Sequence, residues 1–195
     1  MLGILAGILI GIGALVYLSV GGVPGAVLFA TGLIAIINFK LHLFTGRAGK
    51  LGYSVSPKEL TITWFENLIG AFSCAIFICL TPVGDNLFPK AMDIVALRNA
   101  NGPITNLILG IGCGILMYVA TNLRLDGCNG LFQVAWPVAA FILIGFNHCV
   151  ADMFYISLGC VKWSDWLSLI PTTIGNVIGC MLIPLMQGHE VSHKN

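Results

Sequence analysis

Three polar side chains lie close together inside a long apolar stretch of this sequence. The stretch covers about residues 131 to 160, and its middle reads Gly-Phe-Asn-His-Cys-Val-Ala-Asp-Met-Phe from 145 to 154. An aspartate at the centre of a bilayer costs roughly 2.5–3.5 kcal/mol on insertion scales, so polar groups persist there where they face a cavity, a partner or a substrate path. Asn147, His148 and Asp152 therefore indicate a functional site, and a buried hydrogen bond between helices is the simpler alternative.

The composition of the chain predicts a membrane protein. Of the 195 residues, 57% are hydrophobic and 9% are charged, whereas an ordinary soluble domain is about 25% charged. We therefore expect a single transmembrane domain over residues 1–195. The net charge of +1 leaves no basic surface for nucleic acid. The seven cysteines are scattered and include no Cys-x-x-Cys pair, so no disulfide framework, metal site or cofactor is expected.

Six apolar segments are long enough to cross a bilayer, which requires ~20 residues. They are 2–20, 23–44, 63–82, 103–122, 131–160 and 166–187. The first has no basic start and no clear cleavage site, so we interpret it as a span and not as a signal peptide. Two cytoplasmic termini would put most of the basic residues inside, as the positive-inside rule requires. The inner set is Lys40, Arg47, Lys50, Lys58, Arg124 and Lys194, and the outer set is Lys90, Arg98 and Lys162.

Two sequence patterns recur in the same order in both halves of the chain. Gly-x-Gly-x-Leu-x-Tyr occurs at 11–17 and at 112–118, and Asn-x-Ile-Gly occurs at 67–70 and at 176–179. These patterns predict that residues 1–82 repeat as residues 103–187. Because each half has an odd number of spans, the second copy would be inverted in the membrane. Inverted-repeat transporters place the substrate near the midplane, on interrupted helices at corresponding positions, which here are spans 2 and 5.

The end of span 2 carries residues that a regular apolar helix would not contain. Lys40, His42 and Thr45 lie there, together with two glycines. Non-helical backbone persists at membrane depth where it is buried in protein or lines a cavity. Half-helix N-termini that point at such a cavity would favour an anion. We therefore predict an all-α membrane protein in which helices 2 and 5 are interrupted around an anion path.

Taken together, these motifs resemble those of the formate/nitrite transporter family. Residues 43–46, Leu-Phe-Thr-Gly, are similar to the loop that breaks the family's helix 2, and residues 145–154 are similar to the segment that breaks its helix 5. Residues 65–71 and 174–179 are similar to motifs of helices 3 and 6. The resemblance covers about residues 2–186. It implies an aquaporin-like protomer of six helices, a homopentamer with one pore per protomer, and permeation by small monovalent anions such as formate, nitrite, acetate, hydrosulfide or lactate.

The resemblance also implies roles for individual residues. His148 corresponds to a central pore histidine, and Thr45 corresponds to a loop threonine that forms a hydrogen bond towards it. Asn176 matches an asparagine near the pore, and Arg98 falls where the family has a lysine beside the outer vestibule. The apolar constrictions are expected at Phe29, Leu33, Leu43, Phe44 and Phe141.

Several positions depart from the family pattern. Asn147 stands where the family has glutamate, and Asp152 stands where it has asparagine, so the formal charge of the segment is unchanged. His42 replaces an acidic residue. In a continuous helix, His148 and Asp152 would share a face, and the carboxylate would favour the imidazolium. Because of these changes, the substrate preference of one relative does not transfer to this chain.

A bare anion in a dry constriction must have its charge offset, because unscreened burial costs on the order of tens of kcal/mol. Arg98 would attract the anion, and His148 and Thr45 would donate hydrogen bonds. Proton transfer through the imidazole, whose ordinary pKa is about 6.5, and simple polarisation are both compatible with this arrangement. Two other functions are open: a neutral-solute channel of aquaporin type, and a redox subunit with His42 and His148 as haem ligands. We expect a channel or transporter of the cell membrane and not an enzyme.

Overall fold

The computed structural model describes residues 1–122, 130–159 and 162–187, and this part of the chain is built from helices. The α-helices are α1 (Leu2–Val20), α2 (Gly22–Asn38), α3 (Phe44–Ala48), α4 (Pro57–Cys79), α5 (Pro82–Asn122), α6 (Gly130–Ile144), α7 (Cys149–Gly159) and α8 (Leu169–Met186). A 3-10 helix, Trp163–Ser168, leads into α8. Arg124 and Lys194, which entered the orientation prediction, lie outside the described residues.

Four helical segments of the described chain are long and apolar enough to cross a membrane. They are α1, α4, α5, and α8 together with the 3-10 helix before it. The number is five if α6 and α7 count as one broken span, and α2 is a shorter apolar helix. Large apolar side chains cover the outside, where Phe77 is 68% and Trp136 is 67% exposed. An exterior of this kind suits contact with lipid.

Helix α4 begins earlier than predicted. The apolar run predicted a span from residue 63, whereas the helix starts at Pro57. The Ser56 hydroxyl accepts a hydrogen bond from the Glu59 N–H at 3.2 Å, and the Glu59 carboxylate accepts one from the Ser56 N–H at 2.8 Å. This capping box satisfies backbone donors at the helix start, and proline is favoured in the first helical position. The capping residues therefore extend α4 beyond its apolar part.

The predicted connection at 83–102 was wrong, because this segment is helical. Helix α5 starts at Pro82 and is interrupted at Gly102, where φ is 71°, just before Pro103. Glycine tolerates this left-handed conformation, and proline lacks the N–H that would continue the helix. The kink divides α5 into a first limb, residues 82–101, and a second limb, residues 103–122. The second limb coincides with the predicted fourth span.

Two short irregular segments interrupt the chain inside the helical bundle. Residues 39–43 separate α2 from α3, and Lys40 has a φ of 53° there. Residues 145–148 separate α6 from α7, and Gly145 has a φ of 86°. The axes of α6 and α7 differ by 55°. Both segments lie where the polar residues of spans 2 and 5 had predicted irregular backbone.

Two close helix crossings relate the halves of the molecule. A Cβ atom on Gly7 of α1 would lie 2.1 Å from the Asn67 carbonyl oxygen of α4, and one on Gly114 of α5 would lie 2.4 Å from that of Asn176 of α8. The backbones therefore touch at both crossings. The two asparagines are those of the Asn-x-Ile-Gly pattern, and the inverted repeat inferred from it stays a prediction.

The two copies of the Gly-x-Gly-x-Leu-x-Tyr pattern do not align when the helix crossings are superposed. Its first copy begins at Gly11, four residues after Gly7, whereas its second copy begins at Gly112, two residues before Gly114. Since Gly7 and Gly114 make equivalent crossings, the two copies do not occupy matching positions. Glycines recur often in packed membrane helices for the same steric reason, and this explains the coincidence.

Candidate functional site

A cavity of about 130 Å³ lies where α1, α2, α6, α7 and the first limb of α5 meet. Five of the residues that the sequence singled out line it, namely Phe29, Arg98, Phe141, His148 and Asp152. The chain reaches this cavity from both halves, because Phe29 belongs to α2 and His148 to the segment between α6 and α7. The cavity therefore brings together an aromatic wall, an imidazole and an ion pair.

His148 is held between a hydroxyl group and an aromatic ring. The Thr45 hydroxyl oxygen lies 3.1 Å from Nε2 of His148, and both side chains are buried. Since a hydroxyl can donate or accept, this contact is compatible with either imidazole tautomer. In the part of the chain that the structure describes, Nδ1 of His148 is buried without a hydrogen-bond partner. The ring is therefore hydrogen-bonded through one nitrogen, and the other has no hydrogen-bond partner among the described residues.

Two phenylalanine rings form one wall of the cavity. The Phe141 ring centroid lies 5.7 Å from that of His148, and Phe29 packs edge-on against Phe141 with a centroid distance of 6.0 Å. Edge-to-face packing at this distance is favourable for aromatic pairs. The rings therefore place an apolar, fixed surface directly beside the imidazole.

Arg98 and Asp152 form an ion pair in the same cavity. Nε of Arg98 lies 3.3 Å from Oδ1 of Asp152, and the two side chains are 10% and 3% exposed. Because α7 begins at Cys149, His148 precedes the helix instead of sharing its face with Asp152. The condition for an effect of Asp152 on His148, a helix that is continuous through both residues, is therefore not met, and the Asp152 carboxylate pairs with Arg98.

A chain of amides connects Arg98 to the segment before His148. The Asn106 amide donates to the Arg98 carbonyl oxygen at 2.7 Å, and the Asn147 amide donates to Oδ1 of Asn106 at 2.9 Å. These two bonds fix which way each amide points. Oδ1 of Asn147 is buried and has no hydrogen-bond partner among the described residues. Asn147 therefore lies behind the cavity wall and supports it.

Asn176 fixes the break between α6 and α7. Its amide nitrogen donates to the carbonyl oxygens of Asn147, at 2.8 Å, and Gly110, at 2.9 Å. Its Oδ1 accepts from the Cys149 N–H at 2.8 Å. Both amide hydrogens are taken up by backbone carbonyls, so none is left for a permeating anion. These bonds show Asn176 supporting the break, and its place on the substrate pathway stays a prediction.

Asn67 makes the same three contacts at the other break. Its amide nitrogen donates to the carbonyl oxygens of Gly3, at 2.8 Å, and His42, at 2.9 Å. Its Oδ1 accepts from the Phe44 N–H at 2.8 Å. A buried backbone N–H or carbonyl is costly when unpaired. Asn67 and Asn176 thus satisfy the backbone at the two irregular segments in the same way.

Three of the predicted constriction residues, Leu33, Leu43 and Phe44, do not line the cavity at His148. Leu33 and Leu43 are buried in the apolar core, 1% and 2% exposed. Phe44 is also a buried core residue, 4% exposed, and it borders a groove together with Trp64 and Thr173. Phe44 is therefore not brought together with Phe29 and Phe141.

Three residues at the site were not predicted. Tyr17 and Tyr155 line the cavity, and Asn106 anchors the Arg98 backbone. An asparagine in the interior of the apolar span 103–122 is a signal that points to Asn106, because unpaired amides are costly in lipid. Tyr17 and Tyr155 carry no comparable signal, since tyrosines are common near membrane surfaces.

His42 and His148, the histidines within the described ranges, do not share a cavity. His42 lies in a separate cavity with Arg47, whose Nη1 is 3.2 Å from Nδ1 of His42. No group of three His, Cys, Asp or Glu side chains in the described ranges is placed to hold a metal ion. The site at His148 is therefore built from hydrogen-bonding and apolar groups.

Comparison with known sequences shows the family. The profile described as formate/nitrite transporter matches residues 1–187 of this chain. The chain is 33% identical to an uncharacterized transporter, YrhG, of Bacillus subtilis over 213 residues, covering 92% of this chain and 79% of that protein. It is 30% identical to a probable formate transporter of Methanothermobacter thermautotrophicus over 190 residues, covering 80% of this chain and 69% of that protein.

Solved structures show the same fold. A pentameric formate channel with formate bound has a TM-score of 0.80 at 24% identity, covering 100% of this chain and 96% of that chain. An ion channel of the FNT family has a TM-score of 0.84 at 18% identity, covering 98% and 88%. The fold and the long apolar helices make this a multi-pass membrane protein, and the chain belongs to the formate/nitrite transporter family.

Proposed function

We propose that this protein is a membrane channel or transporter for small monovalent weak-acid anions, among them formate, nitrite and hydrosulfide. The observation that carries the proposal is the buried contact between Thr45 and His148 at the cavity walled by Phe29 and Phe141. A hydroxyl and an imidazole at one point of an otherwise apolar passage give a small anion hydrogen bonds where water is excluded. Relatives of this chain are named formate transporter and formate channel.

The pathway starts in the cavity beside Arg98, whose charge attracts the anion. Phe29 and Phe141 exclude larger or hydrated ions, because an apolar constriction rejects what cannot shed its water. The anion then meets His148 and Thr45. Leu33 and Leu43 form the second apolar constriction towards the other side.

His148 acts in one of two ways on the passing anion. The imidazolium can transfer a proton, so that a neutral acid crosses the apolar part and the protein couples anion and proton movement. Alternatively, the N–H group polarises the anion without giving up its proton. The Thr45 hydroxyl supports both, because it can follow the change at Nε2 by rotating.

The assembly is an inverted repeat of three plus three helices, arranged as a homopentamer with one pore in each protomer. The matched contacts of Asn67 and Asn176 support the repeat. One of the structural neighbours is a pentameric formate channel, which supports the oligomer.

Both termini face the cytoplasm of a cell whose plasma membrane holds the protein. Lys90 donates to the Leu18 carbonyl oxygen near one end of α1, whereas Arg47 shares a cavity with Met1 at the other end. The inner and outer basic residues are thus separated along the same helix, which supports the orientation drawn from the positive-inside rule.

A neutral-solute channel is the second candidate, since the aquaporin-like arrangement is shared. The buried imidazole of His148 argues against it, because an ionisable group at the centre of the passage suits a substrate that carries a charge or a proton. Glycerol or urea counterflow would reveal such a channel. A redox subunit with His42 and His148 as haem ligands is weaker still, since the two histidines line different cavities. A Soret band from the purified protein would be the evidence for it.

The deciding experiment measures flux of formate, nitrite and hydrosulfide in proteoliposomes from about pH 5 to about pH 8, the range over which an ordinary imidazole titrates. Wild-type protein is compared with His148→Phe, and pentamer formation is checked by size-exclusion chromatography. We expect acid-enhanced anion flux that the substitution abolishes while the assembly stays intact. Wild-type flux in the variant would remove His148 from the pathway, and absence of flux for every anion in the wild type would contradict the proposed function.

A further inference from the structure

Arg98 uses a small part of its hydrogen-bonding capacity within the protein. Its guanidinium has five N–H donors, and Nε alone is engaged, with Asp152 at 3.3 Å. In the described ranges, the fully buried side-chain atoms that lack a hydrogen-bond partner are Oδ1 of Asn147 and Nδ1 of His148. Nη1 and Nη2 of Arg98 also have no partner there, but they are not fully buried. They are therefore accessible from the cavity that Arg98 lines.

The guanidinium of Arg98 is held by Asp152, and the Arg98 backbone is anchored separately by Asn106. Asp152, 2% exposed, binds Nε from α7. Asn106 binds the Arg98 carbonyl oxygen at 2.7 Å from the second limb of α5. A side chain fixed in this way loses little further conformational freedom when a ligand binds.

The two open nitrogens form a planar fork. Two parallel N–H groups match an anion with two oxygen atoms in one plane, as in a carboxylate or nitrite, and form a bidentate pair. A lysine ammonium is a point charge and lacks this geometry. A single-atom anion such as chloride, or hydrosulfide with one charged sulfur atom, cannot engage both nitrogens in the same way.

We propose that Nη1 and Nη2 of Arg98 form an anion subsite in the outer cavity that selects planar two-oxygen anions, carboxylates and nitrite, over single-atom anions and hydrosulfide. This inference rests on the proposed function and names its preferred substrate class. Asp152 has a second effect in this site. Its charge offsets that of Arg98, so a bound anion is held weakly enough to move on towards His148, as conduction requires.

The test measures permeability ratios with the full chain in proteoliposomes. Formate, nitrite and hydrosulfide fluxes are compared for wild type and Arg98→Lys, with Arg47→Lys as the matched control. Arg47 also carries a half-buried guanidinium in an ion pair, with Glu59 at 3.6 Å, but it lies in the other cavity. We expect Arg98→Lys to lower the formate-to-hydrosulfide and nitrite-to-hydrosulfide ratios about tenfold, as for loss of one charge-assisted hydrogen bond. Arg47→Lys should leave both ratios unchanged.

A second measurement uses the wild-type protein alone, so it can be made even if Arg98→Lys fails to assemble. External formate or nitrite should inhibit hydrosulfide flux through the wild-type protein, and chloride at the same ionic strength should not. Equal inhibition by chloride, or equal permeability ratios in Arg98→Lys and wild type, would overturn the subsite while leaving the proposed anion pathway standing. A wild type that carries no anion would overturn both.

Discussion

The Thr45 hydroxyl oxygen lies 3.1 Å from Nε2 of His148, although 103 residues separate the two in sequence. Thr45 belongs to the short helix α3, and His148 to the break between α6 and α7. The contact therefore joins α3 of the first half to the irregular segment 145–148 of the second half. Each half thus supplies one of the two polar groups in this contact.

Removal of the Thr45 hydroxyl should impair the pathway. In Thr45→Val the side chain keeps its size, but Nε2 of His148 loses its hydrogen-bond partner. We expect formate flux to fall by about tenfold, which corresponds to one hydrogen bond of ~1.4 kcal/mol. Thr45→Ser keeps the hydroxyl and should retain most of the flux. Equal flux in the valine and serine variants would show that the hydroxyl has no part in permeation.

Neutralising Asp152 should strengthen anion binding at the cavity. In Asp152→Asn the amide oxygen can still accept from Nε of Arg98, but the negative charge beside the guanidinium is gone. We expect the apparent Km for formate to fall by about fivefold and the flux to depend more steeply on ionic strength, because the Arg98 charge is no longer offset. Asp93→Asn is the control, since Asp93 is an exposed carboxylate on the same limb of α5. A similar change in both variants would mean that the effect is one of overall charge.

Loss of the Asn176 side chain should destabilise the fold. Asn176→Ala leaves the Cys149 N–H and the carbonyls of Asn147 and Gly110 without their partner. We expect a cost on the order of 3 kcal/mol, since an unpaired buried polar group costs ~1–3 kcal/mol. Thermal unfolding in detergent would measure it. Asn38→Ala is the matched control, because that exposed amide bonds a carbonyl of its own helix, Ile34 at 2.8 Å. An unchanged Tm for Asn176→Ala would contradict the role of Asn176 at the break.

Replacing an aromatic ring of the cavity wall by a smaller side chain should let larger anions pass. Phe141→Leu removes the edge-to-face contact with Phe29 and widens the passage beside His148. We expect lactate flux relative to formate flux to rise roughly tenfold, in the range that one or two methylene groups discriminate. Phe77→Leu, on the outer surface, should leave this ratio unchanged. Stopped-flow light scattering of proteoliposomes would measure both fluxes.

The sequence predicted the apolar helices well where hydrophobicity alone decides. Helix α1 and the second limb of α5 have the predicted bounds. The first limb of α5 was missed because Asp85, Lys90 and Asp93 resembled a polar connection. Its start carried a signal, since a proline at residue 82 followed by Asp85 is typical of a helix N-terminus. The prediction followed hydrophobicity and not these capping residues, so the first limb of α5 was left between two spans.

The residues of the site were found, but their pairing was not. His148, Thr45 and Arg98 follow from local motifs and from the family resemblance. The partner of Asp152 is set by the approach of α7 to the first limb of α5, which no local pattern encodes. For this reason the sequence assigned Asp152 to the nearby His148. Phe44 shows the same limit, because tertiary packing places it beside a groove with Trp64 and Thr173 and not at the cavity that Phe29 and Phe141 line.

Asn67 and Asn176 each bind backbone atoms of their own half of the chain. Each of these braces stays within one half, and the contact of Thr45 with His148 is one of the joints between the halves. A slight rocking of one half against the other would lengthen that contact without breaking either brace. We therefore expect lateral tension in the bilayer to alter conductance through this joint while every helix stays folded.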